Sequence, residues 1–248
     1  MRLRTKEISW LLKEKYQGKL TDEAKQDIMR LKKGEPLAYL IGFVDFLGCK
    51  IDLSKRPLIP RSETEWWLDQ AIQDIKVCNQ KKIRCLDLFA GNGCIGIAIL
   101  KNLSDTKVDF AEINDILLKQ IRINVTLNKI DKKRVNIIKS DIFSNVNRKY
   151  DYIFANPPYI AETKKYLTQK SVLKYESHNA LFSGKDGLDI IRKFLENARN
   201  YLKSEGRIYL EFDSWQKPKI IAILKNYGYN RYDFKKDQYG FWRYAIIS

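Results

Sequence analysis

Residues 150–159, YDYIFANPPY, decide how this chain is read. Residues 151–155 form a short apolar run of strand composition, and Asn156-Pro157-Pro158-Tyr159 follows it. Proline has no backbone N–H and a fixed φ, so two in succession do not continue a central strand. The chain is expected to leave a sheet at Asn156 in a stiff, extended turn. In an open α/β sheet the C-terminal ends of strands are where ligands bind. The turn offers two acceptors on a rigid frame, the Asn156 side-chain carbonyl and the Pro157 backbone carbonyl, with Tyr159 available to stack. That set suits a planar NH2 group held through both hydrogens, its lone pair left free to react. Taken alone, the tetrapeptide reads equally well as a stiffened loop whose tyrosine packs on the core.

The upstream sequence tips that balance. Residues 82–100 read KIRCLDLFAGNGCIGIAIL. The apolar run 83–89 has the composition of a strand buried on both faces. Gly91 and Gly93 then permit a tight turn into a helix over 94–100, which brings backbone N–H groups and a helix N-terminus towards a ligand. A second strand, 107–111, runs into Glu112. That carboxylate stands about 20 residues past the glycines, the spacing at which an acid bonds the ribose hydroxyls of a nucleoside. A third strand, 134–139, is followed by Ser140-Asp141, and Asp141 is placed to accept from an adenine amino group. Three strands ending in ligand-capable residues, and a fourth ending in Asn156, argue for one binding edge rather than for unrelated caps.

Composition bounds the rest. A chain of 248 residues with 44% hydrophobic residues fits one α/β domain with a small appendage. No apolar run reaches the roughly 18 residues of a membrane span. The N-terminal stretch MRLRTKEISWLLKEKY is basic, but charges interrupt its apolar part and it does not read as a secretory signal. Cys49, Cys78, Cys85 and Cys94 lack CxxC spacing, and with a single histidine, His178, there is neither a zinc pattern nor a histidine-based acid–base scheme. Reduced thiols and a cytoplasmic location are expected. The net charge of +16 suggests a polyanionic partner in one reading and scattered, solvated lysines in the other; without any arginine-rich tract, the second is favoured.

In chain order, helices are expected over 5–16 and from Thr21, an N-cap followed by Asp22 and Glu23, to a stop at Gly34. A β-hairpin is expected over 42–53, turning near Gly48. Ser62 and Glu65 have capping-box spacing at the start of a helix that carries Trp66 and Trp67, read as packing between the small unit and the main domain. Arg61 is read as a second ligand-facing candidate. Residues 159–187 show no clean period and read as a long functional loop. A helix over 186–203, a strand over 207–212, a helix opened by Pro218, and two closing strands over 229–234 and 241–247 complete the chain. The division expected is 1–41 as a helical unit, 42–61 as a hairpin connector and 62–248 as the main domain.

The order of glycine turn, acid, Asp and Asn-Pro-Pro-Tyr resembles class I S-adenosylmethionine-dependent methyltransferases acting on planar nitrogens. GEPLAYLIG (34–42), IPRSETE (59–65), Glu176 with ALFSGKDGL (180–188), and DQYGFWRY (237–244) narrow the resemblance to the glutamine-N5 methyltransferases of peptide-chain release factors, the PrmC/HemK family. It covers residues 34–248. It implies a Rossmann-like, mostly parallel sheet with an antiparallel closing hairpin. It implies cofactor contacts from Phe89, Ala90, Gly91, Asn92, Gly93, Glu112, Asp141, Ile142 and Asn156. Asn156, Pro157, Pro158 and Tyr159 would hold a substrate glutamine, with Asn156, Pro157 and Tyr159 carrying the catalysis. The chain departs from the family at Phe89 (usually glycine), at Ser62 and Ser177 (usually proline), and in having 33 residues before GEPL, where the family has a longer helical unit.

The mechanism this implies is direct transfer of a sulfonium methyl to the glutamine amide nitrogen, driven by orientation and electrostatics without a metal. A release factor is the expected partner, and a monomer without membrane or favoured nucleic-acid association is the expected state. The rival readings are an adenine-N6 methyltransferase of RNA or DNA, a glutamine methyltransferase of a ribosomal protein, and a binding module without turnover.

Overall fold

The computed structural model describes residues 2–78 and 80–248; residues 1 and 79 lie outside the described part, so the N-terminal stretch is followed from its second residue. The chain begins with three helices, α1 (Arg2–Tyr16), α2 (Asp22–Lys32) and α3 (Leu37–Ile41). Thr21 caps α2 as expected, accepting from Ala24 N at 3.1 Å. Helix α3 was not expected from the sequence: it is one turn long, begins after Pro36 and stops at left-handed Gly42. Leu11, Leu31 and Leu40 from the three helices close a small core of their own.

Strands β1 (Phe43–Phe46) and β2 (Cys49–Asp52) form the expected hairpin. Its two-residue turn has Leu47 at φ 46° and Gly48 at φ 75°, the left-handed pair that matches strand twist. The hairpin packs on helix α6, introduced below. There Gln120, Asn124 and Asn128, spaced four apart on one helical face, accept from the backbone N–H groups of Lys55, Asp52 and Lys50. Backbone donors of β2 and of the turn after it are thereby satisfied.

The remaining elements are α4 (Ser62–Val77), β3 (Ile83–Leu88), α5 (Cys94–Asn102), β4 (Thr106–Glu112), α6 (Asp115–Leu127), β5 (Val135–Lys139), β6 (Tyr150–Ala155), α7 (Lys170–Tyr175), α8 (Asp189–Ala198), β7 (Leu202–Glu211), α9 (Lys217–Asn226), β8 (Tyr232–Lys236) and β9 (Trp242–Ile247). Seven strands form one sheet in the order β5-β4-β3-β6-β7-β9-β8. It is parallel except for β9, which runs antiparallel to both β7 and β8. The α/β, Rossmann-like expectation with an antiparallel closing hairpin therefore holds. The central strands β3 and β6 are buried almost throughout because both of their faces are covered, while the edge strands β5 and β8 carry exposed polar residues. Cys85, Tyr152 and Phe154 pack with α4 and α5 on one face. Leu86, Ile153 and Ala155 pack with α8 and α9 on the other.

Several local expectations are corrected. The Ser62–Glu65 capping box does not form: Ser62 Oγ turns to Glu63, and Glu65 Oε1 instead accepts from Leu47 N at 2.8 Å, pinning the hairpin tip. Trp67 is not a filler between units. It is fully buried and lies against Phe154, Tyr209 and Tyr244 in the main core. The helix expected over 186–203 is shorter, and strand β7 begins already at Leu202. The loop 159–187 contains α7 and short 3-10 turns. Among the described residues no helix is long and apolar enough to cross a membrane.

Candidate active site

The chain starts the parallel sheet at β3, moves outward through β4 to β5, and returns to β6 on the other side of β3. This reversal leaves a crevice between the C-terminal ends of β3 and β6, the place where open α/β sheets take ligands. Strand register fixes what stands there. Leu88 is level with Ala111 and Ala155, and Ala155 with Leu210. One residue further along each chain come Phe89, Glu112, Asn156 and Glu211, so four neighbouring strand ends present these residues side by side.

On the β3–β4 side the site is made of backbone. Phe89 leaves the strand with φ 63°, in the left-handed region that favours glycine, and its ring packs edge-on against Phe194 at 6.1 Å. Phenylalanine thus adopts the turn that the resemblance assigns to glycine, and packing holds it there. Ala90 N donates to Ala111 O at 3.1 Å, and Gly93 N to Ala90 O at 2.7 Å. Gly91 also has positive φ, and a Cβ there would meet only Phe89 O, in ordinary contact at 3.8 Å. Asn92 is buried and committed to the frame: its Nδ2 donates to Leu58 O at 2.7 Å and its Oδ1 accepts from Cys94 N at 2.8 Å. Glu112 accepts from Gly91 N and Asn114 N, one oxygen each, both at 2.9 Å. A carboxylate has about four acceptor positions, so each oxygen retains one for a hydroxyl donor. Asp141 is exposed on a turn closed by Ser144, and Ile142 follows at φ 51°.

Beneath this turn lies Asp87, which the sequence reading passed over. It is buried; its Oδ2 accepts from Gly96 N at 2.9 Å and its Oδ1 has no partner. Burial, reinforced by Glu112, pushes its carboxyl up to about 8.

On the β6–β7 side the site is made of side chains. Asn156, Pro157 and Tyr159 line a cavity of about 650 Å³ with Leu58, Arg61 and Trp215. The glycine turn, Glu112 and Asp141 do not line it, and neither does Pro158. Glu211 gathers the surrounding donors: Oε2 accepts from Thr64 Oγ1 and Trp67 Nε1, both at 2.7 Å, and Oε1 from Tyr159 OH at 3.1 Å. Burial raises the Glu211 carboxyl, against the lowering by its donors and Arg243. Burial and then Glu211 hold the Tyr159 phenol well above its ordinary value. Asn156 Nδ2 donates to Thr64 Oγ1 at 3.3 Å.

The loop over the cavity is tied down at both ends. Arg61 Nη2 donates to both Glu176 oxygens, at 2.7 and 2.8 Å. Gln216 Nε2 donates to Tyr159 O at 2.9 Å and reaches Asp186 O and Gly187 O at 3.2 Å each. Gly187 is required at that crossing, because a Cβ would stand 2.2 Å from Tyr159 O. Thr64, Glu211 and Gln216 were missed from sequence because they are remote from the tetrapeptide in the chain. The capping-box reading even assigned the Thr64 segment a purely local task.

This topology, with a glycine turn and an acid across the crevice from Asn-Pro-Pro-Tyr, defines an α/β methyltransferase. The methyltransferase small domain family model matches residues 72–187. The T. thermophilus 16S rRNA N2 G1207 methyltransferase, solved in complex with AdoMet and guanosine, shares the fold at a TM-score of 0.60 and 14% identity, over 83% of this chain and 49% of that one. The release factor glutamine methyltransferase of Streptococcus pneumoniae is 34% identical over 92% of this chain and 81% of its own length. That of Flavobacterium psychrophilum is 32% identical over 86% and 75%. The chain belongs to the release factor glutamine methyltransferase family.

Proposed function

We propose that this protein methylates the side-chain amide nitrogen of a glutamine in a peptide-chain release factor, using S-adenosylmethionine, and so acts in translation termination. The observation that carries the reading is the position of Asn156, at the rim of the crevice on one side and lining the 650 Å³ cavity on the other. A group there is in reach of both a cofactor over the glycine turn and a substrate in the cavity.

The residues present fit the cofactor. The Phe89–Gly93 turn presents backbone without a side chain at Gly91, Glu112 keeps an acceptor position on each oxygen for two hydroxyls, and Asp141 is exposed for an amino group. The Asn92 side chain is occupied by the protein, so only its backbone is assigned to the ligand. When bound, S-adenosylmethionine supplies an electrophilic methyl: the N–C bond forms as the S–C bond breaks, and one N–H proton leaves to solvent. The Asn156 Oδ1 and Pro157 carbonyls hold the amide hydrogens and increase electron density on a nitrogen whose lone pair is otherwise delocalised. Pro158 keeps the frame stiff, and Tyr159 limits the plane of the amide. In this reading residues 62–248 carry the chemistry, and residues 1–41 with the hairpin connector 42–61 face the protein substrate. The protein acts as a cytoplasmic monomer.

The deciding experiment presents labelled S-adenosylmethionine with purified release factor, its glutamine-to-alanine variant, bulk RNA and bulk DNA. Label on the native factor and none on the variant is expected. Label confined to nucleic acid would replace this reading with adenine methylation and give the +16 charge a role.

A further inference from the structure

We propose that Thr64 is a positioning residue that fixes which way round the Asn156 amide points, with Trp67 and Glu211 setting the direction of its hydrogen bond. This deepens the proposed function and rests on it, because it specifies how Asn156 comes to present an acceptor to the substrate amide.

A primary amide has two similar ends, one donor and one acceptor, and rotation by 180° exchanges them at little steric cost. Only one orientation serves a substrate that brings N–H groups: Oδ1 towards the cavity, Nδ2 away from it. The tetrapeptide alone does not choose between them. The choice follows from groups that cannot reverse. Indole Nε1–H is a donor only, and Trp67 directs it at Glu211 Oε2 from 2.7 Å. That oxygen is therefore held as an acceptor. If Glu211 takes up a proton, it falls on Oε1, beside the Tyr159 hydroxyl, and Oε2 stays an acceptor.

Thr64 Oγ1 lies 2.7 Å from the same Oε2, so its single proton goes there. With that proton spent, the hydroxyl has only acceptor positions left, and at 3.3 Å it takes the Asn156 Nδ2 hydrogen. Oδ1 is then turned to the opposite side, the side that lines the cavity. The sequence of donors runs one way through groups that are almost all buried: Trp67 at 0%, Thr64 at 2% and Glu211 at 1% exposure. In the protein interior the Trp67 and Thr64 bonds to Glu211 are strong, and the part-buried bond to Asn156 ends the run at the cavity.

The test compares Thr64→Val with Thr64→Ser. Valine keeps the shape and deletes the hydroxyl; serine restores it. Thr64→Val should lower kcat by about 10- to 30-fold, as expected for loss of one buried hydrogen bond that orients a reacting group. KM for both substrates should stay within about 2-fold of wild type, and Thr64→Ser should recover kcat to within about 3-fold. The second readout needs no turnover. The Asn156 side-chain NH2 signals, identified by their loss in Asn156→Ala, should exchange with solvent slowly in wild type and Thr64→Ser and at least about 10-fold faster in Thr64→Val. Unchanged amide exchange in Thr64→Val overturns the proposal, as does equal loss of kcat in the valine and serine variants. If wild-type enzyme labels no release factor while amide exchange behaves as described, the substrate reading fails and the positioning role stands.

Discussion

The two sides of the crevice between β3 and β6 are built from different materials. On the β3–β4 side, residues 89–93 and Glu112 work mainly through backbone: left-handed turns, N–H groups and one carboxylate that braces Gly91 N at 2.9 Å. Nearly everything needed there lies within two short stretches of chain. On the β6–β7 side, three stretches far apart in sequence converge. Thr64 and Trp67 come from α4, Asn156 and Tyr159 from the end of β6, Glu211 from the end of β7, and Gln216 from the turn before α9. A backbone-made site tolerates side-chain change as long as φ and ψ are kept. A side-chain-made site depends on each donor finding its acceptor, so single substitutions there should cost more.

The most severe break in this contrast is Asn156→Ala. It should reduce kcat by about 1,000-fold, comparable to removal of a preorganised donor or acceptor at a reacting centre. Cofactor affinity measured by calorimetry should change far less, since the backbone-made side is untouched. Glu112→Ala is the counterpart. It should weaken cofactor binding about 10- to 100-fold, the worth of hydrogen bonds to a charged group, and lower kcat at saturating cofactor by much less. Equal patterns in the two variants would erase the distinction between the sides.

Asp87 offers a smaller effect, read through pH. Its carboxyl stays protonated up to about 8 in the folded chain, whereas an unfolded aspartate titrates near 3.9. Between those values the folded state binds more protons, so this group's stabilising contribution is full below about pH 4 and is lost as pH rises towards 8. Asp87→Asn keeps an oxygen for Gly96 N and removes the ionisation. Denaturant titrations at pH 5 and pH 8 should show a shallower fall in stability for the variant, with a gain on the order of 2 kcal/mol at the higher pH. A fall as steep as that of the wild type would contradict the assignment.

The smallest effect is expected at Phe89. Glycine there relieves about 1 kcal/mol of left-handed strain but gives up the edge-on contact with Phe194, so the two should nearly cancel in the thermal midpoint. Phe89→Val removes the ring and places a β-branched residue in the same backbone conformation, and should destabilise by about 2 kcal/mol or more. If both variants behave alike, the backbone conformation does not matter to this turn.

Legibility followed the same division. The strand ends, the glycine turn and the spacing to Glu112 were readable because apolar runs, glycines and prolines constrain the chain over a few residues. Hairpin β1–β2 was readable from Gly48 for the same reason. What failed was assignment of side chains that serve distant partners. Ser62 and Glu65 have the spacing of a local cap, yet Glu65 holds Leu47 N in the hairpin. Trp67 read as a filler between units and is instead a donor to Glu211 in the main core. Local spacing is a weak guide wherever a buried polar group offers a better partner than water does.

Sequence alone determined the order of the strands, the parallel character of the central ones, the glycine turn, and Glu112, Asp141 and Asn156 at strand ends, because each rests on short-range rules of backbone geometry and apolar burial. The tertiary structure decided that Asn156 has a fixed orientation, that Thr64 and Glu211 supply it, and that the loop 159–187 is held by Arg61–Glu176 and Gln216. The direction of a hydrogen bond is a property of both its ends. When those ends lie 92 residues apart, as in Asn156 and Thr64, only the folded chain brings them together.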